Sequence, residues 1–273
     1  HDRPALARRC LNRYLESTGD YAGLNLMGFY IAYRALVRAK IHWLRAGQPS
    51  AGADDRARLL DQYRGYIALA EAQIQTSAPA LIITHGVSGS GKTTGTQSLV
   101  ESTGAVRVRS DIERKRLQGL APLARTASGI ETGAYSATAT ARTYERLLDL
   151  AKPIIDAGYT AIVDAAFLKR AQRDLFRRWA TERTVPFIIL DFAADIATLK
   201  TRLQARREAN RDASEADLAV LEHQLATQES LQPDEIPYRA EVALTTAPAG
   251  VPVAIRDRLA PAFRRDICPA DER

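Results

Sequence analysis

Cysteine is almost absent from this chain of 273 residues: Cys10 and Cys268 lie near opposite ends, with no metal-ligand spacing around either. That excludes a disulfide-stapled scaffold and a cysteine-based zinc site, and makes a reducing cytoplasm the expected compartment. No apolar run approaches the roughly 20 residues that cross a bilayer. The N-terminus lacks the basic-then-apolar pattern of a signal peptide, so no membrane partner is expected. Lysine is scarce too, at six of the 38 basic residues. Dense basic runs interleaved with aromatics are missing, which leaves nucleic acid an allowed but unfavoured partner. A polyanionic small molecule accounts for the net charge of +6 equally well. His42, His85 and His223 are scattered, and no Ser/His/Asp or Cys/His set offers nucleophilic catalysis.

The most informative stretch is residues 80–94, Ala-Leu-Ile-Ile-Thr-His-Gly-Val-Ser-Gly-Ser-Gly-Lys-Thr-Thr. A short apolar run leads into Gly86, which opens a match to G-x-x-x-x-G-K-[ST] at every fixed position. Glycines let the backbone curl so that its N–H groups converge on phosphate oxygens. Gly86, Ser88, Gly89, Ser90, Gly91 and Thr94 are therefore candidate nucleotide contacts. Lys92 would bring positive charge to the outer phosphates, and the Thr93 hydroxyl is a candidate Mg²⁺ ligand. A helix starting near Lys92 would aim its positive end at the same anion.

Residues 1–77 read as all-helical. Apolar residues recur at helical spacing through residues 4–46, broken at Gly19 and Gly23. A third helix, capped by Asp54 or Asp55, runs to about Thr76. From residue 78 the texture changes. Candidate strands at 80–85, 105–109, 159–165, 186–192 and, more weakly, 241–245 alternate with helical stretches. Nearly continuous apolar strands separated by helices predict an α/β unit over 78–273, built on a parallel sheet covered on both faces. Residues 119–136 are long for a connector and are expected to form a substrate lid.

Ligands of such sheets bind beyond the carboxyl ends of the strands. The second strand ends in Val108-Arg-Ser-Asp111, and Asp111 is the candidate general base for an acceptor hydroxyl. The alternative is a helix cap supplied by Ser110 or Asp111. Arg114, three residues on, could hold an anionic group of the acceptor or be one solvated arginine of a basic run. Asp164 ends the third strand and is a candidate Mg²⁺ partner, with Asp191 at the end of the fourth as competitor. Arg202 and Arg206 lie four apart on one helix face, either as lid residues that neutralise charge on the transferring phosphoryl or as a solvated basic face. His85 flanks the loop and is expected to pack at the strand end.

Gly86–Thr94, Arg-Ser-Asp111-Ile-Glu-Arg114-Lys-Arg, Val-Asp164-Ala-Ala-Phe and the arginine-rich helix with Arg-Asp-Ala-Ser-Glu-Ala-Asp217 together resemble the bacterial P-loop kinases related to gluconate kinase, zeta toxins and polynucleotide 5′-kinase domains. The resemblance covers about 79–260. It implies a P-loop NTPase kinase-like five-stranded sheet in the order 2-3-1-4-5, with ATP and Mg²⁺ as cofactors. It also implies Asp111 as base and lid arginines among Arg202, Arg206 and Arg211. Leu11-Asn-Arg-Tyr-Leu-Glu-Ser-Thr-Gly-Asp-Tyr21 and Tyr33–Lys40 look like the tail of an aminoglycoside-phosphotransferase-like domain, without its catalytic His-x-Asp…Asn motif. An upstream domain outside this chain is then an expected partner, and the abrupt start at His1 fits that. The function expected is transfer of the γ-phosphoryl group of ATP to a hydroxyl of a small-molecule acceptor. The rivals are a polynucleotide 5′-kinase and an ATP-dependent switch with no acceptor.

Overall fold

A computed structural model describes residues 3–74, 78–121, 124, 136–209 and 217–243. Three helices come first: α1 (Pro4–Thr18), α2 (Leu24–Ala46) and α3 (Ala53–Ile74). Pro4 opens α1, where its missing N–H costs nothing. Gly19 closes it in the left-handed conformation, its N–H donating to Leu15 O at 2.8 Å. A 3₁₀ turn (Tyr21–Gly23) then leads into α2. Asp54 and Asp55 lie inside the first turn of α3, where they meet the positive end of the helix. α2 turns Ala35, Ala39 and Ala46 inward and leaves Leu26, Phe29, Tyr30 and Tyr33 exposed.

Alternation begins at β1 (Leu81–His85) and runs through α4 (Lys92–Thr103), β2 (Val106–Arg109), α5 (Ser110–Leu117), α6 (Ala137–Asp156), β3 (Ala161–Asp164) and α7 (Arg170–Glu182). β4 (Phe187–Ala193), α8 (Ile196–Ala209), α9 (Leu218–Thr227) and β5 (Arg239–Ala243) complete it. The strands form one parallel sheet in the order β2-β3-β1-β4-β5. This is an α/β fold of the P-loop kinase type with an N-terminal helical segment. The expected fifth strand is present, shifted to 239–243.

Period-2 alternation divides the sheet between two layers. Leu81, Ile83, Val106, Val163 and Ile189 face α6 and α7, in a core that also takes in Leu15, Tyr21 and Leu24 of the helical segment. Ile82, Ile162, Leu190 and Val242 face Leu99 and Val100 of α4. A third, smaller cluster joins Val87 of the phosphate loop to Leu168, Leu199, Leu203 and Leu221. β2 is a sheet edge, and α1 covers it. Asn12 Oδ1 accepts from Arg107 N at 2.7 Å and Asn12 Nδ2 donates to Ala105 O at 3.2 Å, pairing groups an edge strand leaves open.

Candidate active site

The five-residue β1 is fully buried and ends at His85, where the chain must leave the sheet. Thr84 pins that exit: its Oγ1 donates to Ala165 O at 2.6 Å and accepts from Ala165 N at 3.0 Å. Gly86 N then donates to Ala166 O at 3.1 Å. Gly86 has φ 139°, and a Cβ there would lie 2.5 Å from Phe192 O, so only glycine fits. The loop curls through Gly89 and Gly91, with φ 84° and 93°, into α4. No side chain caps α4, which leaves the N–H groups of its first turn without a side-chain acceptor at the cap, the arrangement by which a helix N-terminus can receive an anion.

Lys92 Nζ donates to Gly86 O at 2.7 Å and Val87 O at 2.8 Å, which holds the ammonium against its own loop. Thr93 Oγ1 donates to Asp164 Oδ2 at 2.8 Å. A hydroxyl from α4 and a carboxylate from β3 thus share one point, two hard oxygen donors of the kind Mg²⁺ accepts beside phosphate. Arg109 Nε stands 3.9 Å from the same Asp164 oxygen. Asp191 does not reach this point. Its two oxygens are taken by His85 Nδ1 and Arg239 Nε, each at 2.7 Å. Burial alone would raise the Asp191 carboxyl, but His85 and Arg239 outweigh it and hold the group below its ordinary range.

Asp111 lies in the first turn of α5, one residue inside a helix that starts at Ser110. The cap position belongs to Arg109, which makes no side-chain cap bond, so neither Ser110 nor Asp111 serves as the cap. α5 is held by Ile112, Lys115 and the fully buried Glu113. Glu113 pairs with Arg116, whose guanidinium also donates to Glu16 O at 2.7 Å. Arg114 Nη1 reaches Thr140 Oγ1 on α6 at 3.5 Å.

The turn after β3 carries a feature that sequence reading passed over. Phe167 is fully buried with φ 50°, an unfavourable conformation for a non-glycine residue. Its neighbours enforce it. Tyr144 and Phe176 each meet its ring edge-on at 5.0 Å, Tyr144 OH accepts from Phe167 N at 3.1 Å, and Arg173 donates to Phe167 O at 3.0 Å. Burial pushes the Tyr144 hydroxyl up to about 12, against the Phe167 N–H and the charge of Arg114, which act the other way, and the charge of Asp111 adds a smaller upward push.

On α8, Arg202 Nη1 approaches Gly89 O at 3.5 Å. Arg206 belongs to the same helix, with its side chain outside the described residues. Arg211 and most of the 119–136 connector also lie outside them. Among the described residues no group of three or more His, Cys, Asp or Glu could hold a metal, and no helix is long and apolar enough to cross a membrane.

The AAA domain family matches residues 81–231, more than half of the chain. The chain belongs to this AAA domain family. The matched span runs from β1 past α9 and contains Lys92, Thr93, Asp111, Asp164 and Arg202. The chain is 29% identical over 210 residues to uncharacterized proteins of Mycobacterium bovis and Mycobacterium tuberculosis. Those matches cover 76% of this chain and 41% of the relatives, so the chain spans less than half of their length. Among solved structures, a candidate kinase from Chloroflexus aurantiacus matches with a TM-score of 0.51 and 18% identity, over 68% of this chain and 99% of that one. A sugar kinase from Janibacter matches at 0.49 and 24%, over 67% and 93%.

Proposed function

We propose that this AAA domain is an ATP- and Mg²⁺-dependent phosphotransferase that delivers the γ-phosphoryl group to a hydroxyl of a small-molecule acceptor. The observation that carries the reading is the convergence of three sheet-end elements. The phosphate loop brings Lys92 and Thr93, β3 brings Asp164 to within 2.8 Å of Thr93, and the first turn of α5 brings Asp111. A protein that only binds nucleotide has no need of the third.

In this reading the loop amides and Lys92 bind the phosphates, and Thr93 and Asp164 hold the metal. The bound ion would neutralise charge on the outer phosphate oxygens. Asp111 takes the proton of the acceptor hydroxyl as the new O–P bond forms and the bond from the γ-phosphorus to the bridging oxygen breaks, leaving ADP. Arg114 orients the acceptor, and Arg202, with Arg206 and Arg211, covers the transferring group. The charge balance and the Asp111-x-x-Arg114 spacing keep a polynucleotide 5′-hydroxyl as the second acceptor class.

The test is γ-labelled ATP with Mg²⁺ and a fractionated metabolite pool, with a DNA oligonucleotide as a separate arm. Label is expected in a small molecule with the wild type, and is expected to fall by about 10²–10⁴ in Asp111→Asn and to vanish in Lys92→Ala. Full transfer by Asp111→Asn would overturn the assigned base. Nucleotide binding without transfer to any acceptor would favour a switch.

A further inference from the structure

α9 is anchored to the segment after β3 and reaches the phosphate loop. Lys169 Nζ donates to Thr227 O at 2.6 Å, Glu229 N donates to Leu168 O at 2.8 Å, and buried Arg173 donates to Glu229 O at 3.2 Å. At the other end Asp217 caps the helix through Val220 N at 3.0 Å. Between these anchors the fully buried Leu221 packs with Val87, Leu199 and Leu203. This mount carries Gln224, whose Oε1 accepts from Ser88 N at 2.8 Å.

The N–H groups of such a loop are its binding groups. Here one of them is held by a side chain 136 residues away. A glutamine head is planar, with an acceptor on one side and two protons on the other. Fixing Oε1 on Ser88 fixes that plane and leaves the two Nε2 protons, which make no hydrogen bond among the described residues. The helix that carries Gln224 is tied at Thr227 to Lys169, in the segment that follows the strand ending in Asp164, and Asp164 in turn meets Thr93 of the loop.

We propose that Gln224 is a γ-phosphate-binding residue: Oε1 locks the Ser88 end of the loop, and the Nε2 protons meet the outer phosphate oxygens as a neutral donor pair. α9 then acts as a reader of the third phosphate, separating the triphosphate from the diphosphate product. The inference rests on the reading of this loop as an ATP site.

The experiment compares binding of a non-hydrolysable ATP analogue and of ADP, both with Mg²⁺, to wild type, Gln224→Glu and Gln224→Met. Glutamate keeps an acceptor for Ser88 N but replaces the protons with an anionic oxygen. Methionine keeps the length and carries no donor, and it serves if the charged variant fails to fold. Both variants are expected to weaken the ATP analogue by about tenfold or more, and Gln224→Glu is expected to leave ADP nearly unchanged. Equal losses for the two nucleotides, or no loss, would reduce Gln224 to a loop support and overturn the proposal. A wild type that binds neither nucleotide would instead overturn the ATP site itself, and Gln224's role with it.

Discussion

Thr93 Oγ1 donates to Asp164 Oδ2 across 2.8 Å, tying the first turn of α4 to the last residue of β3. Asparagine at 164 keeps an acceptor for that hydroxyl and removes the charge that a divalent cation needs. Asp164→Asn is therefore expected to fold normally and to shift the Mg²⁺ dependence of nucleotide binding by about 10–100-fold. A titration with Mg²⁺ at fixed nucleotide checks it, and an unchanged midpoint would remove Asp164 from the metal site.

Gly86 faces a steric limit that its neighbours in the loop share less. A methyl group there would sit 2.5 Å from Phe192 O, a backbone atom of β4 that cannot swing away. Gly86→Ala is expected to cost more than about 1 kcal/mol of stability and to abolish nucleotide binding. Gly52→Ala has nothing within 4 Å of the new atom and serves as the silent control. Denaturant melts of both variants read the difference, and a wild-type melt for Gly86→Ala would contradict the geometry.

How far the sequence reaches depends on whether a residue acts through its own neighbours or through distant ones. The loop was legible because Gly86, Gly91, Lys92 and Thr93 form a contiguous pattern that each backbone requirement dictates. The end of β3 was legible because an apolar run stops at a carboxylate, Asp164, whereas Asp191 lies inside β4, which runs on past it to Ala193. The choice between those two was not, since it depends on where His85 and Arg239 land, and they land on Asp191. Tyr144 and Gln224 act across 23 and 136 residues and leave no local mark. Arg107 did leave one: a strand reading Val-Arg-Val-Arg puts a cation on each alternate position, and a buried strand tolerates that only with a partner.

Asp191 makes the acid limb of stability testable. Its ordinary value is 3.8, and His85 and Arg239 hold it lower in the folded chain, with Glu241 on the far side of Arg239 at 2.6 Å. A carboxyl depressed by folding contributes stability above its unfolded value and loses it as pH falls through the folded one. Asp191→Asn is expected to be destabilised at pH 7, with its gap from wild type closing below pH 3.8. Urea melts across pH 3–7 measure that gap. A gap that stayed constant into acid would mean the carboxylate charge adds nothing.

Arg107 ties the helical segment to the phosphate site. Its guanidinium donates to Glu16 Oε1 at 2.9 and 3.1 Å, to Thr93 O at 3.0 Å, to Thr96 Oγ1 at 3.2 Å and to Gln97 Oε1 at 2.9 Å. Both charged side chains are 5% exposed, so neither can turn to water when the other is lost. Glu16→Ala is expected to cost about 3–5 kcal/mol, and the double change Glu16→Leu with Arg107→Met to recover much of it. The same guanidinium holds the carbonyl of Thr93, so an unpaired Arg107 should disturb the first turn of α4. Nucleotide affinity of Glu16→Ala is then expected to fall even at temperatures where the variant is fully folded. An affinity equal to wild type, with only the melt displaced, would confine α1 to covering the edge of β2.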